Sequence, residues 1–164
     1  MKIKRLTGDA ILSAIALTIF MVELYLPTLT PIPGVKLGLA NIVTVFAIFV
    51  LRPLDAGMIL AARIALGAMF SGQMTAVMYS LAGGILCFLV MLVMRKIVTE
   101  KQIWVASVIG AIAHNIGQII VAVLITQTTA IIAYLPVLAI SGTVAGLFTG
   151  LCAQFLTARC KRLF

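Results

Sequence analysis

Apolar runs of about 20 residues recur along this chain, each long enough to cross a ~30 Å hydrocarbon core. That recurrence leaves few folds open. Inside a bilayer the backbone must satisfy its own hydrogen bonds, which favours helices bundled together. Composition agrees: 63% of the 164 residues are hydrophobic and 10% charged, too little polar surface for a soluble domain of this size. The expectation is an all-α integral membrane bundle of six transmembrane helices, forming one domain over residues 1–164. The first segment has a basic start but no small-x-small cleavage site, so it reads as a spanning helix and not a removed signal.

The stretch Pro27-Thr28-Leu29-Thr30-Pro31-Ile32-Pro33-Gly34-Val35-Lys36-Leu37-Gly38-Leu39-Ala40-Asn41 breaks the apolar pattern most sharply. Its three prolines fix φ and withhold N–H donors, which makes it a shaped connector. We read it as an outer lid over a small-molecule site, with Lys36 and Asn41 at the mouth of the next helix.

In chain order, Lys2, Lys4 and Arg5 anchor the start, and Asp9 is placed to cap a first helix over about 10–26. Ala10-x-x-x-Ala14 gives that helix a small-residue stripe open to close approach. A second helix covers about 37–51 and stops at Arg52-Pro53; a third covers about 54–70; a fourth, about 74–94. The run Arg95–Lys101 reads as a loop, and a fifth helix follows over about 103–126. Pro136 either kinks the sixth helix or sits in its first turn, which would leave Ala130–Leu135 as a separate interfacial piece. Gly142, Gly146 and Gly150 call for tight packing of the sixth helix on a neighbour.

Net charge is +8, a value that in a soluble protein would suggest nucleic acid. Here the basic residues sit at segment ends. Ten of the twelve Lys and Arg fall at positions that six crossings place on one side. The positive-inside rule then makes both termini cytoplasmic. Only Lys36 falls outside, and Arg63 lies within a span, ~12 Å from its inner end. Cys87, Cys152 and Cys160 have no metal-ligand spacing and read as packing residues.

Charge within a bilayer usually marks a site. Arg63 and Glu23 are candidates for one, or for an ion pair that only ties helices together. His114 and Gln118 share a helix face at i, i+4, with Asn115 beside them. His114 reads equally well as a packing residue, and Tyr79 and Ser80 as interfacial or packing residues. The candidate substrate-binding set is Glu23, Lys36, Asn41, Arg63, Tyr79, His114, Asn115 and Gln118. Its basic members outnumber Glu23, so the expected substrate carries an anionic group on an apolar or ring-like body. No phosphate loop, aspartate-rich diphosphate motif, Ser–His–Asp set or metal-ligand cluster occurs, and an enzyme is not expected.

The segments Pro33–Asn41, Arg63-Ile64-Ala65-Leu66-Gly67, Tyr79-Ser80-Leu81-Ala82-Gly83-Gly84 and His114-Asn115-Ile116-Gly117-Gln118 resemble the Gx transporter family, whose members are often labelled component I of heptaprenyl diphosphate synthase. With the Ala10/Ala14 stripe and the long first loop, they also resemble the S components of energy-coupling factor (ECF) transporters. The resemblance implies a subunit that captures a micronutrient, or a quinone or isoprenoid precursor, from outside. A coupling membrane subunit and two ATPases would drive its release inside, with no cofactor on this chain. It implies further that Ala10 and Ala14 contact the coupling subunit. The alternative is a non-catalytic membrane partner of a prenyl diphosphate synthase.

Overall fold

The computed structural model describes residues 2–25, 38–72 and 74–160. They form six α-helices and no strands: α1 (Lys2–Tyr25), α2 (Asn41–Val50), α3 (Pro53–Ser71), α4 (Met74–Ile97), α5 (Ile103–Thr126) and α6 (Leu135–Cys160). Short 3-10 turns, Glu100–Gln102 and Thr129–Tyr134, precede α5 and α6. Five of the helical segments are long and apolar enough to cross a membrane. The ten residues of α2 rise only ~15 Å. Of the six expected spans, α2 is therefore a short apolar helix within the described residues. The chain is a multi-pass membrane protein.

Several boundaries differ from the sequence reading. The first helix begins eight residues earlier than expected, so Asp9 lies in its interior and caps nothing. Nothing between Lys2 and Asp9 forces a break; Gly8 costs a helix only about 1 kcal/mol. At the start of α2, Gly38 adopts φ +76°, and the amides of Asn41 and Ile42 bond back to the carbonyls of Gly38 and Leu39. That turn delays the helix to Asn41. Arg95 and Lys96 form the last turn of α4 and not a loop, where cations suit the carbonyl end of the helix dipole. Pro136 stands in the first turn of α6, the second of the two options, and the separate piece before it is the 3-10 turn. The connector core, residues 26–37, lies outside the described residues, and with it Lys36.

The helices alternate in direction. At one end Arg5 of α1 forms a two-pronged ion pair with Asp55 at the start of α3, its Nε donating to Oδ2 at 2.8 Å and its Nη2 to Oδ1. Arg95, ending α4, donates to the Leu51 carbonyl just past α2 at 3.0 Å. These contacts gather the basic residues Arg5, Arg52 and Arg95 at a single end. Asp55 is only 2% exposed, so its charge depends on Arg5. Asp55→Asn is expected to lower stability by about 1–3 kcal/mol, read as an earlier thermal transition in detergent.

The core lies near this end, where Val45, Phe46 and Ile48 of α2, Ile59 of α3, Met91 of α4 and Ile103 and Ala106 of α5 meet. α5 packs closely on both α4 and α6, while α1 leans mainly on α3. Small residues set these approaches. A Cβ on Gly146 would lie 2.8 Å from Val108 Cα, and one on Gly150 2.6 Å from Trp104 Cα. The glycines of α6 thus meet α5, and Ser107 and Thr149 share a hydrogen bond of 3.0 Å between the same helices. All three cysteines are free, as expected of packing residues.

Candidate functional site

Toward the other end of the bundle the buried residues turn polar. Glu23 closes α1, Asn41 opens α2, Arg63 lies past the middle of α3, His114 stands at the middle of α5 and Gln118 one turn beyond it. All five are at most 7% exposed. The alternation of helix directions brings them together although up to 95 positions separate Glu23 from Gln118 in sequence.

Glu23, Arg63, His114 and Gln118 line a single cavity with Phe20, Gly38, Ala76 and Ser80. The cavity is small, with room for about one water molecule. A second space of similar size, lined by Gly38, Asn41, Val45, Cys87 and Ser107 among others, adjoins it across the Gly38–Asn41 corner.

The bonding within the site is uneven. Glu23 spends one carboxylate oxygen on main-chain donors: Oε1 accepts from the Gly38 amide and, at 3.2 Å, from the Leu39 amide. These bonds pin the last turn of α1 to the turn before α2. Arg63 Nη1 donates to Asn41 Oδ1 at 3.2 Å. No carboxylate is ion-paired with Arg63 among the described residues. Glu23 and Arg63 therefore face the same cavity as separated charges; the direct bridge weighed from sequence is not formed.

Three further side-chain atoms are poorly satisfied. Arg63 Nε, His114 Nδ1 and Gln118 Oε1 are buried without a hydrogen bond of good geometry among the described residues. The Gly83 main chain lies hard against the His114 ring; a Cβ on Gly83 would come within 2.8 Å of it. Such orphaned groups each cost about 1–3 kcal/mol. Of the five such atoms among the described residues, these three gather around one cavity, while Asp9 Oδ1 and Gln154 Oε1 lie apart from it.

The remaining candidates are placed elsewhere. Asn115 turns away from the cavity and donates to the Leu138 carbonyl at 2.6 Å, tying α5 to the start of α6. Tyr79 is buried on α4 but is not among the cavity walls. Lys36 lies outside the described residues. Ala10 and Ala14 are exposed on α1, in line with the neighbouring exposed Thr18.

Sequence reasoning missed Phe20, Gly38 and Ala76 as wall residues. Phe20 sits one turn before Glu23 and presses on Gly67, where a Cβ would meet its ring at 2.7 Å. That i, i+3 relation to a buried acid was the available signal. Gly38 and Ala76 carry no chemistry of their own and left none.

The family described as heptaprenyl diphosphate synthase component I matches residues 12–156. The chain belongs to that family. It is the labelled family to which the sequence resemblance pointed, and the match takes in Glu23, Arg63, His114 and Gln118. No curated protein and no solved structure matches the chain.

Proposed function

We propose that this family member is the substrate-binding subunit of an ECF-type importer. It captures a small micronutrient, or a quinone or isoprenoid precursor, in the cavity between α1, α3, α4 and α5. The observation that carries this reading is the burial of Arg63 Nε and Gln118 Oε1, both unpartnered among the described residues, with His114 against the Gly83 main chain, around one cavity that also holds Glu23. A membrane protein bears the cost of buried polar groups where a ligand or an ion uses them. The basic residues at the opposite end support, by the positive-inside rule, a cytoplasmic position for that end and for both termini. The cavity then opens toward the outside of the bacterial cytoplasmic membrane.

This chain has no catalytic part in the cycle. A coupling membrane subunit and two ATPases supply the work, so ATP is hydrolysed by partners. The exposed Ala10 and Ala14 give α1 a face of small side chains on which another helix can lie closely. Enlarging either residue to Trp is expected to block uptake in cells while leaving ligand binding by the purified protein unchanged. Uptake that survives both changes would remove the docking face from this reading.

The family description favours a second reading, a non-catalytic membrane partner of a prenyl diphosphate synthase. A native pull-down of tagged protein from its own membranes, with mass spectrometry of proteins and small molecules, separates the two. Two ATPases, a coupling subunit and a ligand released on denaturation support the importer. A soluble synthase with no ATPase and no ligand supports the partner role.

A further inference from the structure

We infer that Glu23 and Arg63 form a partner-exchange switch that holds or releases the corner at Gly38–Asn41. In the structure Glu23 is bonded to that corner. In the other arrangement it pairs directly with Arg63, and the corner is let go. The device does not depend on what the cavity captures.

The corner is clasped from two sides. Glu23, near the end of α1, accepts from the Gly38 amide and, at 3.2 Å, from the Leu39 amide. Arg63 of α3 donates from Nη1 to Asn41 Oδ1 at 3.2 Å. An anion therefore holds one limb of the turn and a cation the other. The turn's own bonds run from the Asn41 amide to the Gly38 carbonyl at 2.9 Å and from the Ile42 amide to the Leu39 carbonyl at 3.1 Å.

Each of these clasps joins an ion to a neutral group, although the opposite charge borders the same cavity. The space has room for about one water molecule, a gap that long side chains such as Glu and Arg cross by changing rotamer. Arg63 Nε is buried with no hydrogen bond among the described residues, so a donor stands ready. Guanidinium and carboxylate pair through two parallel bonds, stronger than bonds to neutral groups. Asn41 is the weaker of the two holds, with one bond against two for Glu23.

Exchange frees the Gly38 and Leu39 amides and the Asn41 side chain. Gly38, at φ +76°, lets the main chain move to a new conformation at little steric cost. Gly38 is a wall of both small spaces and Asn41 a wall of the second. Release of the corner thus merges two spaces, each with room for about one water molecule, into one larger site.

Hydrogen exchange of the full-length protein in nanodiscs, read by mass spectrometry on peptides that carry residues 38–42, tests this. Asn41→Ala frees Arg63 to take Glu23, so exchange in the corner should rise roughly tenfold or more. A second change on that background separates a switch from a lost contact. Arg63→Gln removes the rival partner of Glu23, and corner exchange should fall back to within about threefold of the unaltered protein. Where that double variant does not fold, Asn41→Ala with Glu23→Gln carries the comparison. Its amide oxygen still accepts from Gly38 and Leu39 but forms no ion pair, so the same recovery is expected. A double variant that exchanges as fast as Asn41→Ala alone overturns the switch. So does an Asn41→Ala corner that exchanges as slowly as the unaltered one. Peptides of α5 are the reference: faster exchange there in Asn41→Ala overturns the switch too, because Asn41 then holds the bundle and not the corner.

Discussion

Glu23→Gln and Arg63→Met are each expected to destabilise the protein by about 3–5 kcal/mol, and the double variant by less than their sum. Neither residue touches the other: Glu23 is held by the Gly38 and Leu39 amides, and Arg63 by Asn41. Yet both are at most 5% exposed and face one cavity. Removing either leaves the other as an uncompensated buried charge, and that is the costly event. Removing both leaves lost hydrogen bonds but no stranded ion. The measurement is a double-mutant cycle on thermal or denaturant unfolding in a fixed detergent. Strict additivity would mean that solvent, not the opposite charge, stabilises each ion.

The same residues show what was legible in the sequence. Helix number and the polar positions follow from solvent physics: a bilayer demands long apolar runs, so every Arg, Glu, His or Gln inside one is conspicuous. Four of the flagged positions, Glu23, Arg63, His114 and Gln118, meet in one cavity for that reason. The partners of those residues were not legible. Glu23 is bonded to main-chain amides, which no residue type announces, and Asn115 differs from Gln118 only in which face of α5 it occupies. Boundaries failed where competing signals were near balance. Asp9 is as good in a cap as any residue, but a preceding basic segment with no breaker continues the helix through it. The delayed start of α2 turns on the left-handed conformation of Gly38, which a glycine permits but does not require.

A large structural effect is also expected from a single methyl group. Gly146→Ala should destabilise the protein by about 2 kcal/mol or more, and Gly146→Leu should prevent the bundle from assembling. On Gly146 the new Cβ would sit 2.8 Å from Val108 Cα, 2.9 Å from Ala111 Cβ and 3.0 Å from the Ser107 carbonyl oxygen. Main chain cannot rotate out of the way as a side-chain tip can, so α5 and α6 must separate. Separation would stretch the Ser107–Thr149 bond and the Asn115–Leu138 bond, which join the same two helices. It would also disturb His114 and Gln118, since α5 carries them into the cavity. Gly57→Ala is the matched control. Its Cβ would meet only the far edge of the Phe88 ring, at 3.5 Å, an ordinary contact. There the methyl should be neutral or stabilise by up to about 1 kcal/mol, the helix preference for alanine over glycine. Size-exclusion profiles and thermal transitions of the two alanine variants, side by side, separate the cost of the methyl from the cost of its place. Equal behaviour at both positions would mean that α6 does not approach α5 as closely as the structure has it. The glycines of α6 would then have to be explained by some partner other than this chain's own fifth helix.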